Sequence, residues 1–183
     1  MECLIQSLRK MKVKSKKLSY VLRHQFSDEF LPGGWLAVDS ALSEVGLTME
    51  ELEIIVAEND KGRYELSYDK TLIRALYGHS VQIDLDYIPT TPPDILYHGT
   101  ASTNYVSILE KGIVSKNRQY VHLSEDIEMA ISVGQRHGSP IVLKIDTRKM
   151  TQDGCIFFNP KSGIWLTKYI MPRYIEKMTD ESD

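Results

Sequence analysis

The chain has 183 residues, 42% of them hydrophobic, and a formal net charge of -3 at neutral pH. This length suits one domain or two small ones with hydrophobic cores. The sequence has no apolar run long enough for a membrane span, and no apolar segment follows the N-terminal lysines, so we expect neither a span nor a secretory signal. Cys3 and Cys155 lie far apart without metal-site spacing, so we expect free thiols and a cytoplasmic location.

The charges are unevenly distributed along the chain. Residues 1–24 contain seven Lys or Arg and one acidic residue, whereas residues 25–95 contain four basic and fourteen acidic residues. A basic segment of this kind indicates a local anionic partner. A solvated basic helix explains it equally well, and the charge pattern alone leaves both explanations open.

Helices and a hairpin are predicted, in that order, in the first half. Three helices each begin with a capping residue: Ser15, Asp39, and Thr48, which forms a capping box with Glu51. Alternating apolar residues at 64–68, a turn at Asp69-Lys70 and a return at 72–75 then predict a two-stranded hairpin. This order is typical of a winged-helix module, which commonly binds nucleic acid, although a likeness of fold does not by itself establish function.

Three prolines within 88–93 interrupt any helix or central strand and mark the best domain boundary. The second half is predicted to consist of short strands and interrupting helices, which indicates a compact α+β lobe. The expected strands are 95–98, 120–123, 140–145, 156–158 and 164–167, and the expected helices are 102–111, closed by Gly112, and 124–133, closed by Gly134.

All five histidines lie in short clusters, and three of these clusters also contain an arginine: LRHQ (Arg23, His24), RALYGHS (Arg74, His79), LYHGT (His98), VHLS (His122) and GQRHGSP (Arg136, His137). Arginine presents a fixed, charged fork that fits phosphate oxygens, and histidine titrates near neutral pH. The combination indicates a protein that holds and reacts with a phosphorylated substrate.

Three of the clusters also have an ordinary structural explanation. LYHGT can place His98 against a ribose, with Gly99 allowing close approach and Thr100 offering a hydroxyl, or it can be a strand end with a buried histidine. VHLS can use Ser124 to open a helix that favours an anion, or Ser124 can be a plain cap. LRHQ can be a surface arginine followed by a histidine that favours the helix C-terminus. Only GQRHGSP, a loop with Arg and His between glycines, favours function on its own.

Other chemistries fit the sequence poorly. It has no H-E-x-x-H motif, no Asp/Glu pair at metal-ligand spacing with these histidines, no P-loop and no nucleophile elbow. We therefore expect no metal.

Taken together, the clusters resemble the RNA 2′-phosphotransferase family (the tRNA 2′-phosphotransferases, Tpt1/KptA), from about residue 16 to about residue 174. The matching strings are LSYVLRH, GW before a helix, KGRYELS, IRALYGHS, TPPDILYHGTA, YVHLSED, VGQRHGSPIVLKID and GIWLT. The resemblance implies an α+β fold in two lobes: residues 1–90 as a winged-helix RNA-binding lobe and residues 91–183 as an ADP-ribosyltransferase-like NAD-binding lobe.

The resemblance also implies a reaction. An internal RNA 2′-phosphate attacks the nicotinamide-bearing ribose carbon of NAD⁺, and the ribose 2″-hydroxyl then attacks the phosphorus. The products are 2′-OH RNA, nicotinamide and ADP-ribose 1″,2″-cyclic phosphate. The expected partners are NAD and RNA bearing an internal 2′-phosphate, with no membrane partner, and the simplest expectation is a monomer.

Site residues follow from the same resemblance. The family's catalytic Arg-His-Arg-Arg set falls on Arg23, His24, Arg74 and Arg136, and its NAD-binding residues fall on His98, Gly99, Thr100, His122 and Ser124. For His79, Ser80 and His137 we expect RNA-contacting or supporting roles. The chain departs from the family at Tyr77, where a glutamine is usual, and at Ser162-Gly163, where Asn-Gly is usual.

Two other functions remain open. An ADP-ribosyltransferase acting on nucleic-acid ends or another acceptor would share the NAD lobe and the arginines. A non-catalytic RNA-binding module would need only the winged helix and the basic N-terminus.

Overall fold

The chain forms two compact units, Met1–Asp86 and Tyr87–Asp183, each described here by itself. The structure is a computed structural model that describes residues 2–25, 28–59, 62–161 and 163–178. The division between the units falls directly before the proline segment that marks the predicted boundary. Helices and strands are both present, as expected for an α+β protein.

The first unit combines three helices with a small antiparallel sheet. Its helices are α1 (Glu2–His24), α2 (Val38–Val45) and α3 (Met49–Ala57). Its strands are β1 (Leu36–Ala37), β2 (Tyr64–Leu66) and β3 (Leu72–Ala75), and they lie in the order β1-β3-β2. One hydrophobic core joins the helices to the sheet, with Leu18, Leu22, Leu52 and Ile73 fully buried.

The second unit is built on a six-stranded antiparallel sheet in the order β11-β7-β4-β6-β9-β8, beside the separate strand pair β10-β5. Its strands are β4 (Ile95–Ala101), β5 (Ile113–Val114), β6 (Val121–Ser124), β7 (Pro140–Asp146), β8 (Phe158–Lys161), β9 (Ile164–Thr167), β10 (Tyr169–Ile170) and β11 (Ile175–Lys177). Its helices are α4 (Tyr105–Lys111), α5 (Ile127–Gly134) and α6 (Thr147–Gln152). A second core, which includes Leu96, Leu143, Ile145 and Met150, lies within this unit.

Several local predictions are confirmed. Thr48 and Glu51 form the capping box of α3, and α2 ends at Gly46 in a left-handed conformation with φ of 75°. The hairpin has its turn at Asp69-Lys70, and Lys70 adopts φ of 58°. Gly112 closes α4 with φ of 76°.

Two predicted helix starts in the first unit are wrong. Ser15 lies in the interior of α1, because the helix begins at Glu2 and the backbone carbonyl of Ser15 instead accepts a hydrogen bond from the Tyr64 hydroxyl at 2.9 Å. Asp39 lies in the first turn of α2 and does not cap it. The extended residue Ala37 precedes that helix, and the Val38 amide donates to the Thr71 carbonyl at 2.8 Å.

The second unit also departs from the predicted elements. Ser124 does not open a helix, because it pairs with Ile164 as the last residue of β6 and Asp126 caps α5. The strand predicted at 156–158 begins later, as β8 at Phe158. The carbonyls of Ile156 and Phe157 instead accept hydrogen bonds from the Thr167 hydroxyl and the Thr90 amide. The patterns missed α6 and the short strands β1, β5, β10 and β11, which have two or three residues each.

Two further observations concern the described residues only. None of their helices is long and apolar enough to cross a membrane. None of their His, Cys, Asp and Glu side chains gather into a group of three or more that could hold a metal ion.

Candidate functional site

In the first unit, Arg23, His24 and Ser80 lie together at the C-terminal end of α1. Arg23 and His24 are the last two residues of this helix, and the Ser80 amide donates to the Arg23 carbonyl at 3.0 Å. The last carbonyls of a helix have no partner within the helix. The segment after β3 supplies one here, and it thereby holds Ser80 beside the two catalytic candidates.

His24 is exposed, and two neighbours orient its ring. Nδ1 lies 2.7 Å from the Ser80 hydroxyl, and the ring centroid lies 5.2 Å from that of Tyr20. The Ser80 hydroxyl also lies 3.5 Å from the Arg23 carbonyl oxygen, to which it can donate. If the Ser80 hydroxyl donates its hydrogen to this carbonyl, its oxygen accepts a hydrogen bond from the His24 ring, so Nδ1 carries the proton. In this tautomer Nε2 is unprotonated and can accept a proton.

Arg23 lies against Tyr77 and Gly78. The guanidinium carbon is 5.2 Å from the centre of the Tyr77 ring, a cation–π distance. Gly78 has φ of 93°, and a Cβ there would lie 3.3 Å from Cζ and Nε of Arg23. Tyr77, one departure from the family pattern, therefore stacks on a catalytic candidate. Ser162, the other, lies outside the described residues.

Arg74 is held by acceptors within its own unit. Its Nε and Nη2 donate to the Glu65 carboxylate at 2.7 and 2.6 Å, and Nη1 donates to the Gly33 carbonyl at 3.2 Å. The guanidinium also stacks on Trp35, 4.3 Å from the ring centre. Glu65 faces Arg74 across the β2–β3 ladder, so the hairpin register sets this geometry.

His79 is buried, with 2% of its surface exposed. Burial, together with the positive charges of Arg23 and His24, lowers the pKa of His79 to about 3, against a weak opposing effect of the Leu22 backbone. The ring is therefore neutral at physiological pH. Of the two roles expected for His79, this position favours the supporting one over direct contact with RNA.

In the second unit, two histidines point the same ring nitrogen at backbone carbonyls. Nδ1 of His98 lies 3.0 Å from the His122 carbonyl, and Nδ1 of His122 lies 3.2 Å from the Tyr120 carbonyl. A carbonyl accepts only, so each Nδ1 carries the proton in these bonds. Burial lowers the pKa of His98, which keeps its ring neutral and makes Nε2 a hydrogen-bond acceptor.

Gly99 and Thr100 follow His98 on β4. A Cβ on Gly99 would lie 1.6 Å from the Ala130 carbonyl oxygen, so this glycine is required by the packing of α5 on β4. We expected the glycine to allow close approach of a ligand, but the close approach observed is to a helix. Thr100 is buried, and its hydroxyl accepts a hydrogen bond from the Asn104 amide at 3.1 Å.

Ser124 has a different environment from the one its motif predicted. Its hydroxyl accepts from the Asp126 amide at 3.1 Å, within the turn after β6. The carboxylate of Asp126 then accepts from the Glu128 and Met129 amides at 3.0 and 3.2 Å. A protein carboxylate therefore caps the N-terminus of α5, and the VHLS pattern was wrong in placing the start of this helix at Ser124.

Arg136 and His137 lie in the exposed turn between α5 and β7. Backbone bonds from Arg136 to Val133 and from His137 to Gly134, at 3.2 and 3.0 Å, hold the turn against the end of α5. Among the described side chains, no carboxylate pairs with the Arg136 guanidinium. Its charge therefore faces solvent, in contrast to that of Arg74.

The patterns missed residues that shape the first-unit site. Glu65 and Trp35 position Arg74, and Tyr20 lies against His24. The hairpin register could have identified Glu65 as the partner of Arg74. Tyr20 lies four residues before His24, a spacing at which side chains meet on one helical face.

Comparison with known proteins finds relatives over most of the chain. The model of the RNA 2′-phosphotransferase, Tpt1/KptA family matches residues 9–169. A protein of Acaryochloris marina described as a probable RNA 2′-phosphotransferase is 44% identical over 172 residues, covering 90% of this chain and 95% of its own length. Proteins with the same description from Hahella chejuensis and Trichormus variabilis are 42% and 40% identical, and cover 91% and 95% of this chain and 94% and 100% of their own lengths.

The first unit carries an exposed histidine next to an arginine at the end of α1, and the second unit carries two histidines whose Nδ1 atoms face backbone carbonyls. The family match spans most of the chain and includes every residue of the predicted site. The chain belongs to the RNA 2′-phosphotransferase, Tpt1/KptA family.

Proposed function

We propose that this chain is an NAD⁺-dependent RNA 2′-phosphotransferase that removes an internal 2′-phosphate, of the tRNA splice-junction type, from RNA. The products are 2′-OH RNA, nicotinamide and ADP-ribose 1″,2″-cyclic phosphate. In this proposal the first unit is a winged-helix RNA lobe and the second an ADP-ribosyltransferase-like NAD lobe. The observation that carries the proposal is the family match over residues 9–169, which contains Arg23, His24, Arg74 and Arg136.

The second unit offers a donor set that suits a dinucleotide. The bond to the His122 carbonyl makes Nε2 of His98 an acceptor, and the lowered pKa of His98 keeps it one. Ribose hydroxyls are hydrogen-bond donors, so a neutral histidine can orient one. Thr100 and His122 lie on the neighbouring strands β4 and β6 and are assigned to the same nucleotide. NAD⁺ supplies the ribose carbon and its nicotinamide leaving group.

Positioning of phosphate is the main task proposed for the arginines. A 2′-phosphate dianion is already a nucleophile, so alignment matters more than a strong base. Negative charge then gathers on the phosphoryl oxygens during transfer, where aimed guanidinium groups stabilise it. Arg136 presents an exposed charge for this purpose. Arg23 is held against Tyr77, and Arg74 is held by Trp35 and Glu65.

His24 is the proposed proton carrier. With Nδ1 bonded to Ser80, Nε2 is the nitrogen assigned to exchange a proton with the 2″-hydroxyl or with the departing RNA oxygen. The exposure of His24 is consistent with contact to a substrate.

The proposal is tested by incubating the protein with an internally 2′-phosphorylated RNA, with and without NAD⁺. We expect loss of the RNA phosphate only when NAD⁺ is present. His24→Ala and Arg136→Ala should each lower turnover by about a hundredfold or more with the fold retained. Arg148→Ala is the matched control, because Arg148 is an exposed arginine of the second unit outside the site.

Three results would count against the proposal. Phosphate that stays on the RNA, with folded protein that binds NAD⁺, contradicts the activity. Normal turnover in either site variant contradicts the assignment of that residue. Failure of NAD⁺ to raise the thermal midpoint favours a non-catalytic RNA-binding module, because a ligand that binds only the native state must stabilise it.

A further inference from the structure

The solvent-facing side of α1 carries a row of basic and aromatic side chains that leads to His24. Leu18, Val21 and Leu22 are fully buried and fix the inner side of the helix. Positions 9, 12, 16, 20 and 24 follow one another at intervals of three or four, which places them on one helical face. Arg9, Lys12, Lys16, Tyr20 and His24 are all exposed, and we call this row the α1 face.

The other lysines of this helix have a different role. Lys14 pairs with the Glu51 carboxylate at 2.6 Å, and Lys17 donates to the Glu44 carbonyl. Both bind the first unit itself. By contrast, the described side chains include no carboxylate paired with Arg9, Lys12 or Lys16.

Helix stability does not explain the α1 face. Like charges at a spacing of four, such as Lys12 and Lys16, disfavour a helix. The sequence from Arg9 to His24 contains no acidic residue that would compensate them. Some exposed basic residues elsewhere have carboxylate neighbours, for example Lys70 with Glu53 and Arg173 with Asp153.

Tyr20 adds an aromatic surface in the middle of the row. Its side chain is 56% exposed, and its ring touches the His24 ring at a centroid distance of 5.2 Å. A row of cations beside an exposed aromatic ring is the combination that binds unpaired nucleic acid, since phosphates meet the cations and a base stacks on the ring.

We propose that the α1 face binds the unpaired RNA strand that flanks the 2′-phosphate, with Tyr20 stacking a base next to His24 and Lys16, Lys12 and Arg9 contacting successive phosphates. This proposal rests on the proposed function for the identity of the RNA. The helix rises about 1.5 Å per residue, so four residues separate Lys12 from Lys16 by about 6 Å along the axis. This spacing suits adjacent phosphates of an extended strand.

The test measures binding of a labelled, unpaired RNA 12-mer without a 2′-phosphate to the full chain over a range of KCl concentrations. Lys12→Gln/Lys16→Gln should weaken binding about tenfold at low salt and reduce the slope of log K against log salt by about 1.4, or about 0.7 per lost phosphate contact. Tyr20→Leu should weaken binding by a similar factor with the slope unchanged, because stacking releases few counterions.

Matched controls come from the same chain. Lys111→Gln/Lys149→Gln removes two exposed lysines of the second unit, and Tyr68→Leu removes a tyrosine that is fully exposed on the hairpin turn. We expect both controls to bind as the wild type does. Wild-type binding by the α1-face variants, or equal losses in the controls, would overturn the proposal. Binding to anionic vesicles in place of RNA would also overturn it.

The outcome is separable from that of the proposed function. If the 12-mer binds through the α1 face but no assay detects phosphate transfer, the α1-face proposal stands and the proposed function is contradicted. If the chain transfers phosphate but the α1-face variants bind RNA as the wild type does, the proposed function stands and the α1-face proposal fails.

Discussion

The glycine at position 99 gives a quantitative test of how β4 supports the second unit. Gly99 lies between His98 and Thr100, and an ideal Cβ at this position would be 1.6 Å from the Ala130 carbonyl oxygen and 2.5 Å from the carbonyl carbon. Both atoms are backbone atoms of α5, so no side-chain rotation relieves the overlap. Gly99→Ala must therefore move α5 away from β4.

The magnitude follows from that overlap. A carbon and an oxygen in contact are separated by about 3.2 Å, so the helix must shift by roughly 1.6 Å in a core with few voids. Inserting a methyl group where flexible side chains can adapt costs about 1–3 kcal/mol. Because only backbone can yield here, we expect the free energy of unfolding to fall by about 3 kcal/mol or more.

The control is Gly154→Ala in the same unit. Gly154 has φ of 85°, but a Cβ there meets no atom within 4 Å. That substitution carries only the strain of a left-handed conformation, about 1–2 kcal/mol.

The assay is urea unfolding of both variants and the wild type, followed by circular dichroism. A Gly99→Ala protein without a cooperative transition in the second unit agrees with the reasoning. Equal losses in the two variants would refute it, since the overlap with Ala130 would then have no energetic consequence.

Two further predictions concern the first unit. Ser80→Ala removes the hydroxyl at Nδ1 of His24 and should lower kcat about tenfold, with a shifted pH profile of kcat and little change in the KM for NAD⁺. Ser80→Thr keeps a hydroxyl and should restore kcat. An unchanged pH profile in Ser80→Ala would show that Ser80 does not position His24. The second prediction uses the pKa of His79, which is about 3 in the folded chain and near 6.5 in an unfolded one. Between about pH 3 and pH 6.5 the unfolded state binds a proton at His79 that the folded state does not. The contribution of His79 to the free energy of unfolding is therefore complete above about pH 6.5, and it falls on acidification by up to about 1.4 kcal/mol per pH unit. Urea unfolding at pH 7.5 and 5.5 should therefore show a larger loss in the wild type than in His79→Asn, and equal losses would contradict the assignment.

Local signals in the sequence predicted much of the fold. The Thr48–Glu51 capping box, the glycines that end α2 and α4, and the Asp69-Lys70 turn depend on neighbouring residues alone, and all were placed correctly. The starts of α1 and α2 were misplaced because tertiary contacts decided them. Ser15 resembles a cap, but its helix continues past it and packs on the sheet through Tyr64.

The candidate site shows the same division. The identities of Arg23, His24 and Arg74 are visible as motifs, but their partners are not. Glu65 faces Arg74 through the hairpin register, whereas Trp35 reaches it from outside the hairpin, where no local pattern indicates the contact. The motif around Ser124 predicted the start of a helix, but Ser124 pairs with Ile164 in the sheet and is the last residue of β6.

The measurement that most directly tests the central claim follows a radiolabelled internal 2′-phosphate during reaction with NAD⁺. The account predicts that the label leaves the RNA and appears in ADP-ribose 1″,2″-cyclic phosphate, with one nicotinamide released for each phosphate transferred. Label that appears as inorganic phosphate without NAD⁺ would contradict it. A stable ADP-ribosylated RNA that keeps the label would also contradict it, and would identify the chain as an ADP-ribosyltransferase.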